Sequence, residues 1–156
     1  MKTKAILAVI AAALFLTACG SKKQEGITHA HNGDLQVITA SASILPSFLE
    51  GQSEDIRLVY EAAGKAKELL QWIPCYCGCG ESAGHKSNLN CFIHKVNEDG
   101  SVVWDDHGTR CGVCLQIAAA SIKMKAEGKS EKEIRAHIDD AYKEGYAAPT
   151  NTPMPA

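Results

Sequence analysis

Three thiols stand at alternate positions in Pro74-Cys75-Tyr76-Cys77-Gly78-Cys79-Gly80, and this stretch restricts the fold more than any other. A helix running up to it must stop, because the residue before a proline avoids helical geometry. The two glycines then let the backbone curl tightly. A hydrophobic core has no need of three cysteines packed this closely. Thiolates are soft ligands that suit Cu(I), zinc and iron–sulfur clusters. Thiols at i, i+2 and i+4 of a curled segment can point two or three sulfurs at one centre. A disulfide between neighbouring members would close a very small, strained ring. The stretch therefore reads first as a metal–thiolate loop, and second as three cysteines each paired with a distant one.

The N-terminus sets the expected compartment. Residues 1–18 read as a lipoprotein signal peptide: Lys2 and Lys4 are followed by a twelve-residue apolar run, Ala5 to Leu16. That run is too short for a permanent bilayer-spanning helix. Leu16-Thr17-Ala18-Cys19 matches the pattern at which bacterial prolipoproteins are cleaved. Cys19 is then the lipidated residue, and its acyl chains would hold the protein on the extracytoplasmic face of the cell membrane. Loss of Lys2 and Lys4 leaves 14 basic residues against 18 acidic ones, and no basic stripe points to nucleic acid. Seven cysteines less Cys19 leave six. Outside the cytoplasm, six thiols are expected to be either oxidised to disulfides or protected by metal.

Residues 19–44 read as a lipid-anchored flexible tether, polar and glycine-punctuated up to Asp34. His29 and His31 fall in it as His-Ala-His, a weak metal pattern on solvated linker residues. Residues 45–146 are expected to form one cysteine-rich domain. Ser53 starts a helix near 54–72 with apolar residues at helical spacing from Ile56 to Ile73. A second runs near 113–127, and a third near 131–144 after the capping box Ser130-Glu131-Lys132-Glu133. Two short apolar runs around Asp99-Gly100 suggest a β-hairpin near 91–104. The expected fold is mainly α, three to four helices with a short hairpin and a cysteine-rich loop. Residues 147–156, with Pro149, Pro153 and Pro155, read as a disordered tail.

Cys111-Gly112-Val113-Cys114 has the spacing used by zinc sites and by redox pairs. It opens a helix, where the positive end of the dipole stabilises thiolates. It is not a c-type haem attachment, because Leu115 stands where histidine is required. His85 and His107 border the thiols in glycine-containing loops and are candidate ligands or supporting partners. Cys91 reads equally as a buried thiol, a further ligand or a disulfide partner. His94 reads as a surface strand residue and His137 as a half-exposed helix residue. No acid–base pair, nucleophile triad or phosphate loop argues for a hydrolase or transferase.

The run 74–80, then Gly84-His85, Cys91-Phe92, His107-Gly108 and Cys111-Gly112-Val113-Cys114, resembles the PCYCGC-motif family of bacterial lipoproteins. The resemblance implies a lipid anchor, a single domain and a central place for the cysteines; it supplies no activity. The Cys-x-x-Cys and following helices are similar, as a helical hairpin only, to the thiol-oxidoreductase component of cytochrome c maturation.

Three functions follow. The first is a membrane-anchored binder of a soft metal, Cu(I) before zinc, with Cys75, Cys77, Cys79, Cys111 and Cys114 as ligands and Cys91, His85 and His107 as additions. The second is a thiol–disulfide oxidoreductase cycling Cys111 and Cys114. The third is a disulfide-stapled interaction module without catalysis. The expected site is a single one, in which the loop cysteines meet the Cys111/Cys114 pair.

Overall fold

Strand pairing begins where a tether is expected. The computed structural model describes residues 26–156; the expected signal peptide and Cys19 lie outside the described residues. Gly26–His29 (β1) and Leu35–Thr39 (β2) pair antiparallel across a turn, closed by Ala30 N–H donating to the Asp34 carbonyl at 2.8 Å. The run Leu35-Gln36-Val37-Ile38-Thr39 is rich in β-branched side chains, which fit a pleated, half-buried surface. Val37 is fully buried against the core. The flexible-tether reading of 19–44 is therefore corrected over residues 26–39.

β2 continues the sheet into the expected hairpin. Ile93–Val96 (β3) and Val102–Asp105 (β4) pair antiparallel around the Asn97–Ser101 turn, and β2 pairs with the other edge of β4. The order is β1-β2-β4-β3, antiparallel throughout. A lone hairpin is marginal in water, and here two further strands complete it. Over the described residues the protein is thus a mixed α/β fold with a four-stranded sheet and five α-helices, which corrects the mainly α expectation.

The helices follow the apolar stripes more closely. Glu54–Lys65 (α1) is capped by Ser53, whose Oγ accepts from Ile56 N–H, with Glu54 and Asp55 in the first turn. The single expected helix near 54–72 is interrupted at Ala66 and resumes as Lys67–Leu70 (α2). A one-turn helix, Cys79–Ser82 (α3), starts inside the cysteine loop. Gly112–Ala126 (α4) and Glu131–Ala141 (α5) lie within a few residues of their expected bounds, and the Ser130/Glu133 capping box is formed. Among the described residues no helix is long and apolar enough to cross a membrane.

The core lies between the sheet and the helices. Tyr60, Leu70, Ile73, Phe92, Trp104, Ile117, Ile134 and Ile138 are buried in one cluster that also takes in Cys75, Cys79, Cys91 and Cys114. Two polar handles tie it together: the Trp104 indole donates to Thr39 Oγ1, and the Tyr60 hydroxyl donates to the Asp105 carbonyl, both at 2.8 Å. Buried aromatic donors need such partners.

The C-terminal segment is ordered, against expectation. Ala147 N–H donates to the Tyr76 carbonyl at 3.1 Å, and Thr150 N–H to the Cys75 carbonyl at 3.0 Å. Cys75 N–H in turn donates to Thr150 Oγ1 at 2.9 Å. Buried Arg135 donates to the carbonyls of Trp72, Thr152 and Pro153. The physical reason is that the irregular cysteine loop carries backbone groups that no helix or sheet satisfies, and an extended proline-rich segment supplies their partners.

Candidate metal centre

Four pieces of local structure deliver the six sulfurs. Cys75 follows Pro74 as the chain leaves α2, and Cys77 follows two residues later. Gly78 has φ +87°, a left-handed conformation that a side chain would strain, and it turns the chain into α3 with Cys79 in its first turn. Cys91 ends a 3₁₀ turn, Asn88–Cys91, that leads into β3. Cys111 is the N-cap of α4 and Cys114 lies in its first turn.

The six thiols meet. Cys111 and Cys114 sulfurs are 3.0 Å apart; Cys114 is 3.2 Å from Cys75 and 3.5 Å from Cys77; Cys75 is 3.3 Å from Cys77 and 3.8 Å from Cys91; Cys91 is 3.9 Å from Cys79. All six are free thiols, so the three-bridge arrangement of a disulfide-stapled module is not the state described. Cys75, Cys79, Cys91 and Cys114 are buried, while Cys77 and Cys111 are half-buried and form the open edge.

Several four-donor sets arise within this cluster. The ligand atoms of Cys75, Cys79, Cys91 and Cys114 lie within 4.8 Å of one another, as do those of Cys77, Cys79, Cys114 and His107, and those of Cys79, Cys91, His85 and His107. Cys79 belongs to all three sets, and Cys114, Cys91 and His107 to two each. Of the eight candidates named from the sequence, seven fall in these sets; Cys111 falls in none of them and reaches the cluster through its contact with Cys114, 3.0 Å away. His94 is exposed on β3, His29 and His31 lie on β1 and its turn, and His137 is exposed on α5; none of the four is in these sets.

The two histidines are held differently. His107 sits in a 3₁₀ turn, Asp106–Arg110, started by Asp105 accepting His107 N–H at 3.0 Å. The turn passes so close to Phe92 and the Cys91 carbonyl that a Cβ at Gly108 would lie 2.7 Å and 2.9 Å from them. His107 Nδ1 lies 3.0 Å from the buried Asp34 carboxylate, which also takes Arg110. Contacts with Cys111 first, then Cys77, raise the His107 pKa to about 11. Its Nδ1 faces a carboxylate that can accept a proton from it. His85 is buried, with Nδ1 3.5 Å from the Cys91 sulfur and its ring 4.7 Å from that of His107, edge to face. Burial first, and the His107 charge next, lower its pKa and favour the neutral ring that binds metals.

The sulfurs share protons unequally. Cys75 is lowered to about 5, chiefly because Cys114 and then Cys77 hydrogen-bond to it, while Cys114 is raised by its contacts with Cys111 and Cys75.

Asp34 was missed as a site residue by sequence reasoning, which placed it at the end of a linker. A carboxylate that orients a histidine among thiols is the usual support for a metal ligand. The signal was Asn32-Gly33 ahead of a β-branched run, a recognised hairpin pattern.

This arrangement can hold a metal ion. A tetrahedral centre with metal–sulfur bonds of about 2.3 Å spaces its sulfurs by about 3.8 Å. The observed sulfur separations of 3.0 to 3.9 Å lie at or a little inside that spacing and well beyond a disulfide bond. Neither curated proteins nor solved structures match the chain. A family model does match, over residues 6–155, and the chain belongs to the family it describes, proteins of unknown function with a PCYCGC motif.

Proposed function

We propose that this protein is an extracytoplasmic soft-metal-binding lipoprotein, anchored through Cys19, whose six domain cysteines hold Cu(I) in preference to zinc. The observation that carries the reading is the sharing of Cys79, Cys91 and Cys114 between separate four-donor sets. A single structural zinc needs four ligands and no more. Five soft sulfurs in these sets, three of them shared, suit bridging thiolates and more than one ion, which favours Cu(I). Cys75, Cys77, Cys79, Cys111 and Cys114 are the ligands, with Cys91, His85 and His107 completing the sets. The anchor rests on the Leu16-Thr17-Ala18-Cys19 pattern.

The test is a Cu(I) competition titration against a chelator on Cys77→Ser, Cys114→Ser and the double variant. Residues serving one centre interact, so the losses should be strongly non-additive. Strictly additive losses, or none, would reject a shared centre.

One observation favours a second reading. Cys111 is half-buried at the N-cap of α4 and 3.0 Å from Cys114, an arrangement suited to thiol–disulfide exchange. That activity predicts that Cys111→Ser abolishes reduction of a test disulfide in the metal-free protein.

A further inference from the structure

Four of the six sulfurs are buried, so a cation must reach them past the Cys77/Cys111 edge or by another way. A cavity of about 570 Å³ offers the other way. Its floor is Gln36 and Asp105, register partners on β2 and β4 whose side chains are joined by the Gln36 amide donating to Asp105 Oδ2 at 3.0 Å. His31 from the β1–β2 turn and His94 from β3 stand on its walls, both exposed. Its inner wall includes His85, whose Nδ1 lies 3.5 Å from the Cys91 sulfur. One residue thus touches both the cavity and the thiols.

We propose that this cavity is the port through which the metal cation enters, with His31 and His94 as capture ligands and His85 passing the ion to Cys91 and Cys79. The proposal rests on the reading of the thiol cluster as a metal centre. The donors are graded in the right sense. Imidazole and carboxylate hold a soft cation less tightly than thiolates do, so affinity rises inward. No lysine or arginine lines the cavity, and Asp105 supplies a carboxylate. A second cavity of about 520 Å³, which also includes His85, is lined by glycines, the C-terminal segment, Glu81 and Lys86; it sets a lysine beside its one carboxylate and offers a cation no other imidazole. The port also gives a use to His31 and His94, which the metal centre leaves idle.

The experiment is stopped-flow uptake of Cu(I), supplied as its acetonitrile complex to the reduced full-length protein and followed by thiolate-to-copper charge-transfer absorbance. The double variant His31→Ala/His94→Ala should take up copper several-fold more slowly, because the ion loses its two capture ligands at the mouth of the cavity while the Asp105 carboxylate stays in place. Its final absorbance should equal that of the unaltered protein. His29→Ala/His137→Ala, which removes two exposed histidines outside the cavity, should keep the original rate. An unchanged rate in the His31/His94 variant, or equal slowing in the His29/His137 variant, would overturn the port alone. A charge-transfer band that never forms in the unaltered protein would overturn the port and the metal centre together.

Discussion

Asp34 governs how His107 presents itself to the thiols. Its carboxylate, 3.0 Å from Nδ1, leaves the other face of the ring to Cys77 and Cys111. When a metal replaces the proton there, the same carboxylate should hold the ring in the binding orientation and raise its basicity. Asp34→Asn keeps the size of the side chain but removes the charge. It is expected to weaken metal affinity by about 10- to 100-fold, the usual cost of losing such a partner, in a competition titration. An affinity equal to that of the unaltered protein would mean that His107 takes no part in the centre.

At the scale of elements, the turn carrying His107 depends on a close backbone approach. Gly108 lies over the Phe92 ring and the Cys91 carbonyl, and the carbonyl cannot move aside as a flexible side chain can. Gly108→Ala should therefore cost about 1–3 kcal/mol, as overpacking does. Urea denaturation measures the loss, and a stability within a few tenths of the original would show that the turn has slack. The helices were the legible part of this fold, because Ser53 and Ser130 mark their starts and apolar residues recur at helical spacing. The strands β1 and β2 were not. They are four and five residues long, all of β1 is exposed, and Gln36 and Thr39 are buried polar residues whose partners, Asp105 and Trp104, lie far along the chain. Local pattern cannot reveal such a pairing. The break at Ala66 was hidden for a related reason, since the apolar stripe runs on without interruption from α1 into α2.

The whole molecule closes on the cysteine loop from several sides. α2 leads into it, α4 opens against it, the β2–β4 pairing brings Asp34 and His107 to it, and the C-terminal segment straps it through Thr150. The meeting of the loop cysteines with the Cys111/Cys114 pair was legible because thiols at such spacing have few other uses; the place of Cys91 beside Cys75 and Cys79 was not. The strap was not, because its proline-rich composition is that of disordered tails. Thr150→Val would leave the buried Cys75 N–H without its acceptor, a loss of about 1–3 kcal/mol. Urea denaturation of the metal-free variant should show it, and an unchanged midpoint would mean that the strap contributes nothing to the loop. The central claim is that the six thiols act together as one metal–thiolate centre. Intact mass of the Cu(I)-loaded protein, recorded under native and then denaturing conditions, tests it most directly. The account predicts more than one copper in the native spectrum and, once the metal is stripped, a mass with no hydrogens lost from the six cysteines. A native spectrum without copper, together with a denatured mass short of the hydrogens of three disulfides, would contradict it.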